Sequence, residues 1–193
     1  MSAKKIEQIK KWLSTQVNPE RYQHIYGVAE TAKKLAVLHH LSVEKAELAG
    51  WLHDCAKELS RSEMLKWIKK SSFDLDVNER KIPALWHPHA GASIALSQWK
   101  IKDVKVLEAI RRHTLGSPAM SPLAQIVFVA DFIEPGRDFS GVKLVRKVAR
   151  ENLNEAVLLK CSMTISHLMD KKMKVHDRLL ATWNRFLDKR HEN

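Results

Sequence analysis

The chain of 193 residues holds only six glycines and six prolines. So few turn formers exclude the many short connections of a β-sandwich or a β-barrel. Two cysteines, Cys55 and Cys161, supply neither a disulfide framework nor a four-thiolate zinc site, and they suit a reducing cytoplasm. No apolar run is long enough to span a bilayer: the most apolar stretch, 126–133, is interrupted by Asp131. The start of the chain is amphipathic through Leu13 and has no apolar block of the signal-peptide kind. These absences lead to the expectation of a cytoplasmic protein with no membrane partner.

What is present suffices for a packed core. Hydrophobic residues make up 45% and charged residues 28%, which excludes disorder as the main state. Lysine and arginine total 33 against 22 aspartates and glutamates, a net charge of +11. A lysine-rich solvated surface explains this plainly; attraction to a polyanion, whether nucleic acid or a small phosphorylated substrate, is the sharper reading. The ten histidines are more informative, because imidazole is both a metal ligand and a proton carrier near neutral pH.

Apolar residues recur at helical spacing almost throughout. Ile6, Ile9, Leu13 and Val17 form one stripe, and Asn18-Pro19-Glu20 reads as the cap and first turn of a second helix carrying Tyr22, Ile25, Ala29, Ala32, Leu35 and Ala36 inward. Ser42 caps a third helix expected to run to about Ala56, and Ser60-Arg61-Ser62-Glu63 is a capping box for a fourth. Residues 71–80 read as a connection. Further helices are expected from near Pro88, over 103–113, from Ser121-Pro122 to Pro135-Gly136, and over 142–150, 154–170 and 177–189. No strand or repeat is visible. The fold class is therefore all-α: one domain over 1–193, with core motifs at 18–137 and C-terminal helices at 142–189.

Four positions stand apart within this pattern: His24, the adjacent His53-Asp54, and Asp131. Each lies in or at the end of an apolar helix. Asp131 interrupts Ile126-Val127-Phe128-Val129-Ala130 and Phe132-Ile133, where a carboxylate is costly unless paired or bound to a cation. Singly, each has a plain reading: a hydrogen-bonded core histidine, a chance His-Asp pair, an aspartate paired with an arginine. Together, one metal ion would satisfy several of them at once. Two imidazoles and two carboxylates leave open octahedral positions and suit iron or manganese better than calcium or structural zinc.

The order His, His-Asp, Asp resembles the HD-domain superfamily of metal-dependent phosphohydrolases, an all-helical fold. Arg21-Tyr22-Gln23-His24-Ile25-Tyr26-Gly27-Val28 is similar to its opening, and Leu52-His53-Asp54-Cys55-Ala56-Lys57-Glu58-Leu59 to its central block. Two further stretches, Ala109-Ile110-Arg111-Arg112-His113-Thr114-Leu115-Gly116 and Ala130-Asp131-Phe132-Ile133-Glu134-Pro135-Gly136-Arg137, resemble the narrower bacterial YqeK family of symmetrical diadenosine tetraphosphatases. Two places depart from the family pattern: His87 is followed by Pro88, and His176 by Asp177.

The resemblance implies an HD-domain helical bundle that splits diadenosine tetraphosphate into two ADP. Its metal would be held by His24, His53, Asp54 and Asp131. It implies iron; manganese, magnesium or a second ion, with His87 and His113 as its ligands, stay compatible with the residues. The metal would activate water for attack on a phosphorus flanking the central bridge. Asp54 and Asp131 would hold the ion and orient that water, and His87 or His113 would protonate the leaving oxygen. Arg21, Lys57 and Arg137 would offset phosphate charge, with His87, His113 and Thr114 also contacting phosphate. Val175 and His176 are expected nucleotide contacts. The expected partners are the dinucleoside polyphosphate and its ADP product, with a homodimer left open.

Two rivals share some of these features. A nucleic-acid-binding module would use the positive charge, but no zinc-finger spacing, RNA-recognition aromatic motif or recognition helix is present, and the basic residues are spread along the chain. A different HD-type substrate, another nucleotide or a guanosine alarmone, would use the same core. The stretch from Asp131 to Arg137 favours diadenosine tetraphosphate.

Overall fold

The computed structural model describes residues 3–71 and 73–191. Ten α-helices are seen among them and no strand. In chain order they are α1 (Ala3–Gln16), α2 (Pro19–Leu38), α3 (Val43–Leu52), α4 (Arg61–Lys69), α5 (His87–Ser97), α6 (Val104–Arg112), α7 (Pro122–Ile133), α8 (Val142–Glu151), α9 (Leu153–Asp170) and α10 (Asp177–His191). No helix among the described residues is long and apolar enough to cross a membrane.

The expected caps form. Asn18 Oδ1 accepts from the Arg21 N–H at 2.8 Å, and Ser60 and Glu63 close a reciprocal capping box. Asn18 does more than cap: its backbone and side-chain nitrogens donate to the two carboxylate oxygens of Glu58, at 2.9 and 2.6 Å. The start of α2 is thereby tied to the turn that follows α3.

Helix α7 is the centre of the molecule. Leu123 through Ala130 are all buried, and α2, α3, α6, α8 and α9 pack around it. A helix enclosed on every side carries the next residue, Asp131, to the rim of the interior, where its side chain stays 19% exposed. Helices α2 and α3 approach closely because Gly50 faces the Ala29 backbone: a Cβ at Gly50 would lie 2.6 Å from the Ala29 Cα. That contact brings the end of α3 alongside His24.

Two differences from the sequence expectation matter for the site. Helix α3 ends at Leu52, short of Ala56. Beyond it the backbone bonds tighten to three-residue spacing, Cys55 to Leu52, Lys57 to Asp54 and Leu59 to Ala56, while the His53 ring takes the Gly50 carbonyl at 2.7 Å. The connection over 71–80 is not merely a loop. It leads into two short 3₁₀ turns, Glu79–Lys81 and Pro83–Leu85, and Glu79 is buried at 2% exposure.

Candidate metal centre and active site

Helices α2 and α7 and the turn after α3 bring four donor groups to one point. His24 Nε2 lies 3.3 Å from His53 Nε2, 3.2 Å from Asp131 Oδ1 and 3.8 Å from Asp54 Oδ2. His53 Nε2 lies 3.7 Å from Asp54 Oδ2 and 4.0 Å from Asp131 Oδ1. The opposite ring nitrogens are committed. His53 Nδ1–H donates to the Gly50 carbonyl, and His24 Nδ1–H to Glu134 Oε1 at 3.2 Å. With the hydrogen at Nδ1, both Nε2 lone pairs face each other and two carboxylate oxygens. Such an arrangement is repulsive alone and attractive around a cation. Octahedral ligands about 2.1 Å from an ion stand about 3.0 Å from their neighbours, and the observed separations of 3.2 to 4.0 Å leave room for one ion. The donor set therefore fits a divalent cation.

A second lobe adjoins the first. His87 opens α5 and His113 follows α6; their Nδ1–H groups donate to the carbonyls of Ala84 and Ile110, both at 2.8 Å. Their Nε2 atoms face each other at 3.2 Å and lie 3.2 and 3.3 Å from Asp54 Oδ1. That oxygen is buried and receives no hydrogen bond. Asp54 thus offers one oxygen to each lobe. The Thr114 hydroxyl lies 3.1 Å from His113 Nε2.

Electrostatics keep the donors in ligand form. Burial pushes His53 down to about 3 and His87 to about 4, with Asp54 pulling both the other way. Both rings are neutral at physiological pH. Burial alone would raise Asp54 and Asp131; for Asp54 the His53 ring, and for Asp131 the Lys160 ammonium, lead the groups that outweigh it and hold each well below the usual carboxylate range.

The cations expected at phosphate surround this cluster. Arg21 Nη1 is 2.9 Å from Asp54 Oδ2. Arg137 Nη2 is 3.2 Å from Asp131 Oδ1, and its Nε donates to the Asp131 carbonyl at 3.1 Å. Lys57 Nζ stands 3.3 Å from His87 Nε2. Val175 and His176 are not joined to the cluster. They precede α10, where the His176 Nδ1 accepts from the Arg178 N–H and its Nε2 lies 3.7 Å from Asp76.

Two residues that carry the site had no assigned role in the sequence reading. Glu134 is buried and accepts from His24 Nδ1 and from the Gly136 N–H at 2.5 Å. Glycine at 27 and 136 makes space for it: a Cβ at Gly27 would lie 2.7 Å from Glu134 Oε2. Lys160 is buried in α9, donates to the carbonyls of Phe128 and His113 at 2.5 and 3.1 Å, and lies 3.4 Å from Asp131 Oδ2. It holds the Asp131 oxygen that does not face His24. Lys160 carried the signal that marked Asp131, a charge within an apolar run (Val157-Leu158-Leu159-Lys160-Cys161). Glu134 lay inside a motif already noted.

Relatives share this framework. The HD domain family matches residues 21–136, a span that holds all six cluster residues from His24 to Asp131. The chain is 41% identical to "Bis(5'-nucleosyl)-tetraphosphatase, symmetrical" of Halalkalibacterium halodurans, over 86% of this chain and 89% of that one. It is 37% identical to the protein of the same description from Bacillus subtilis, over 88% and 90%. A crystal structure from Clostridium acetobutylicum, described as a "predicted HD superfamily hydrolase involved in NAD metabolism", superposes with a TM-score of 0.91 at 36% identity, over 95% of this chain and 97% of that one. With its paired imidazoles and carboxylates inside the matched span, the chain belongs to the HD-domain family of metal-dependent phosphohydrolases, in the branch that holds the symmetrical bis(5'-nucleosyl)-tetraphosphatases.

Proposed function

We propose that this chain hydrolyses diadenosine tetraphosphate symmetrically to two ADP, using a metal ion held by His24, His53, Asp54 and Asp131. The convergence of two imidazole lone pairs on two carboxylates at 3.2 to 4.0 Å, beneath Arg21 and Arg137, carries this reading. The mixed nitrogen and oxygen donors favour iron, with manganese as the nearest substitute. When bound, such an ion lowers the pKa of a coordinated water and polarises a phosphoryl oxygen.

The chain's own residues supply the rest. Asp54 and Asp131, ionised and fixed, accept a hydrogen bond from the attacking water and orient it along the phosphorus–oxygen bond to be broken. Arg21, Lys57 and Arg137 offset the phosphate charge, and the Thr114 hydroxyl donates to a phosphate oxygen. His87, held neutral, contacts phosphate, and His113 takes up at Nε2 the proton released by the attacking water and passes it to the oxygen of the departing ADP. Val175 and His176, outside the cluster, contact the nucleoside end of one half. The unpaired Asp54 Oδ1 supports one alternative for the second lobe, a second ion on Asp54, His87 and His113.

The test is product analysis with metal counting on the purified chain. Two ADP from diadenosine tetraphosphate is expected; ATP plus AMP, or no turnover with metal bound, overturns the reading. A count of two ions per chain, rather than one, assigns His87 and His113 to metal.

A further inference from the structure

The substrate proposed above has two nucleotide halves, and the cluster with Lys57, Thr114 and the start of α10 accounts for one. A cavity of about 660 Å³ runs along one face of α2; Arg21, His24 and Arg137 line it together with Glu20, Glu30 and Glu134, and so do Lys34 and Pro135. At those same two residues a second trough begins, about 740 Å³ in volume. Its apolar wall includes Leu38 and Pro135; its far side is α8. No acidic side chain lines it among the described residues.

The charge of this second trough is unbalanced. Arg146 is committed, donating to the carbonyls of Ile133, Glu134 and Arg137 at 2.9, 2.8 and 2.7 Å. Lys34, Lys143, Lys147 and Arg150 are exposed and form no ion pair among the described residues. Four free cations beside an apolar wall, in a groove that shares Lys34 and Pro135 with the cavity at the reaction centre, call for a ligand that is both anionic and partly apolar. A nucleotide is such a ligand.

We propose that these two adjoining troughs together bind the second nucleotide of the substrate. The inference rests on the reading under Proposed function. The phosphates next to the scissile bond pass between Arg21 and Arg137. The nucleoside lies at the junction by Lys34, with its base against Leu38 and Pro135. His24 and Lys34 are ten residues apart on α2, about 15 Å at 1.5 Å per residue, which an extended nucleoside diphosphate covers. Lys143, Lys147 and Arg150 draw the polyanion into the groove. The trough therefore distinguishes substrates with two nucleosides from those with one.

The test uses the metal-loaded chain and the variants Lys34→Glu and Lys147→Glu, singly and combined. All change exposed side chains away from the reacting atoms. Compared are diadenosine tetraphosphate and adenosine 5′-tetraphosphate, which lacks the second nucleoside, together with the number of ADP molecules bound per chain at equilibrium. The double variant is expected to raise KM for the first substrate about tenfold or more and for the second by no more than about twofold, with kcat little changed. Wild type is expected to bind two ADP and the double variant one. Equal KM changes for both substrates, or a single ADP bound by wild type, overturn the proposal. So do unchanged kinetics with loss of RNA retention on a filter, which would assign the trough to nucleic acid. An inactive wild type overturns the functional reading, while the ADP count still decides the trough.

Discussion

Among the described residues two buried groups of histidine and carboxylate occur, and they are built differently. In one, Glu79 accepts from His89 Nε2 at 3.1 Å, from the Asp76 N–H at 2.9 Å and from the Arg178 guanidinium, which also reaches Asp76 Oδ2 at 2.6 Å. Burial opposes the Glu79 charge, yet the His89 ring, with the Asp76 N–H and Arg178, holds it at about 2. Every buried donor and acceptor contact of Glu79 is thus met within the chain, whereas around Asp54 the cations Arg21, Arg137 and Lys160 leave the ring lone pairs and one oxygen unmet. The other group, around Asp54, presents ring nitrogens with lone pairs inward, and one carboxylate oxygen accepts nothing. A buried carboxylate alone is thus no sign of a metal site. The sign is a set of donors with no hydrogen left to share.

Breaking the Asp54 group should give the largest effect. Asp131→Ala or His53→Ala is expected to lower kcat at least about 10³-fold and to abolish metal binding, with helical circular dichroism retained. Either variant working at near wild-type rate with the same metal content would remove these residues from the site.

Breaking the Glu79 group should do the reverse. Arg178→Ala takes the guanidinium from a buried carboxylate and leaves it only His89 and the Asp76 N–H, which costs about 3 kcal/mol. Chemical denaturation should detect this loss, while metal content per folded chain stays unchanged. Loss of metal from the folded variant would mean that the two groups are coupled.

Between these lies Glu134, which touches the Nδ1 of His24, the ring nitrogen turned away from the cluster. Glu134→Gln is expected to weaken metal affinity about 10- to 100-fold, the usual effect of removing the carboxylate behind a ligating histidine. Direct metal titration reads this, and an unaltered affinity would reduce Glu134 to a packing role.

The last effect is confined to acid pH. His53 and His87 stand at about 3 and about 4 in the folded chain, against about 6.5 for the unfolded one. Between these values the unfolded state binds more protons. The stability they contribute is therefore complete above about pH 6.5 and is lost as pH falls toward 4 and then 3. Melting of metal-free protein should shift to lower temperature over that range, and His87→Gln should flatten the upper part of the curve.

The sequence made some of these features legible and hid others for identifiable reasons. Asp131 stood out because a charge inside an apolar helix breaks a local pattern that burial enforces. His24 and His53-Asp54 became readable only through their order with Asp131. The all-helical class followed from periodicity and caps, and Asn18 and Ser60 cap helices as expected. Glu79 was hidden in a stretch with no helical period, because its burial is created by His89 and Arg178, at positions 10 and 99 residues further along the chain. The end of α3 was placed too late because apolar periodicity continues through Ala56. What ends the helix is a tightening of backbone bonds near His53, which periodicity does not record.

By itself, the sequence determined which segments become helices and which of them carry charge into the core, because periodicity, capping and desolvation act over a few residues. Only the tertiary structure decided that Lys160 holds one oxygen of Asp131, that Glu134 stands behind His24, and that Gly50 lets two helices come close enough for the Nε2 atoms of His24 and His53 to stand 3.3 Å apart. These are contacts between distant segments, and hydrogen-bond and electrostatic terms depend on separations of a few tenths of an ångström that no local pattern encodes.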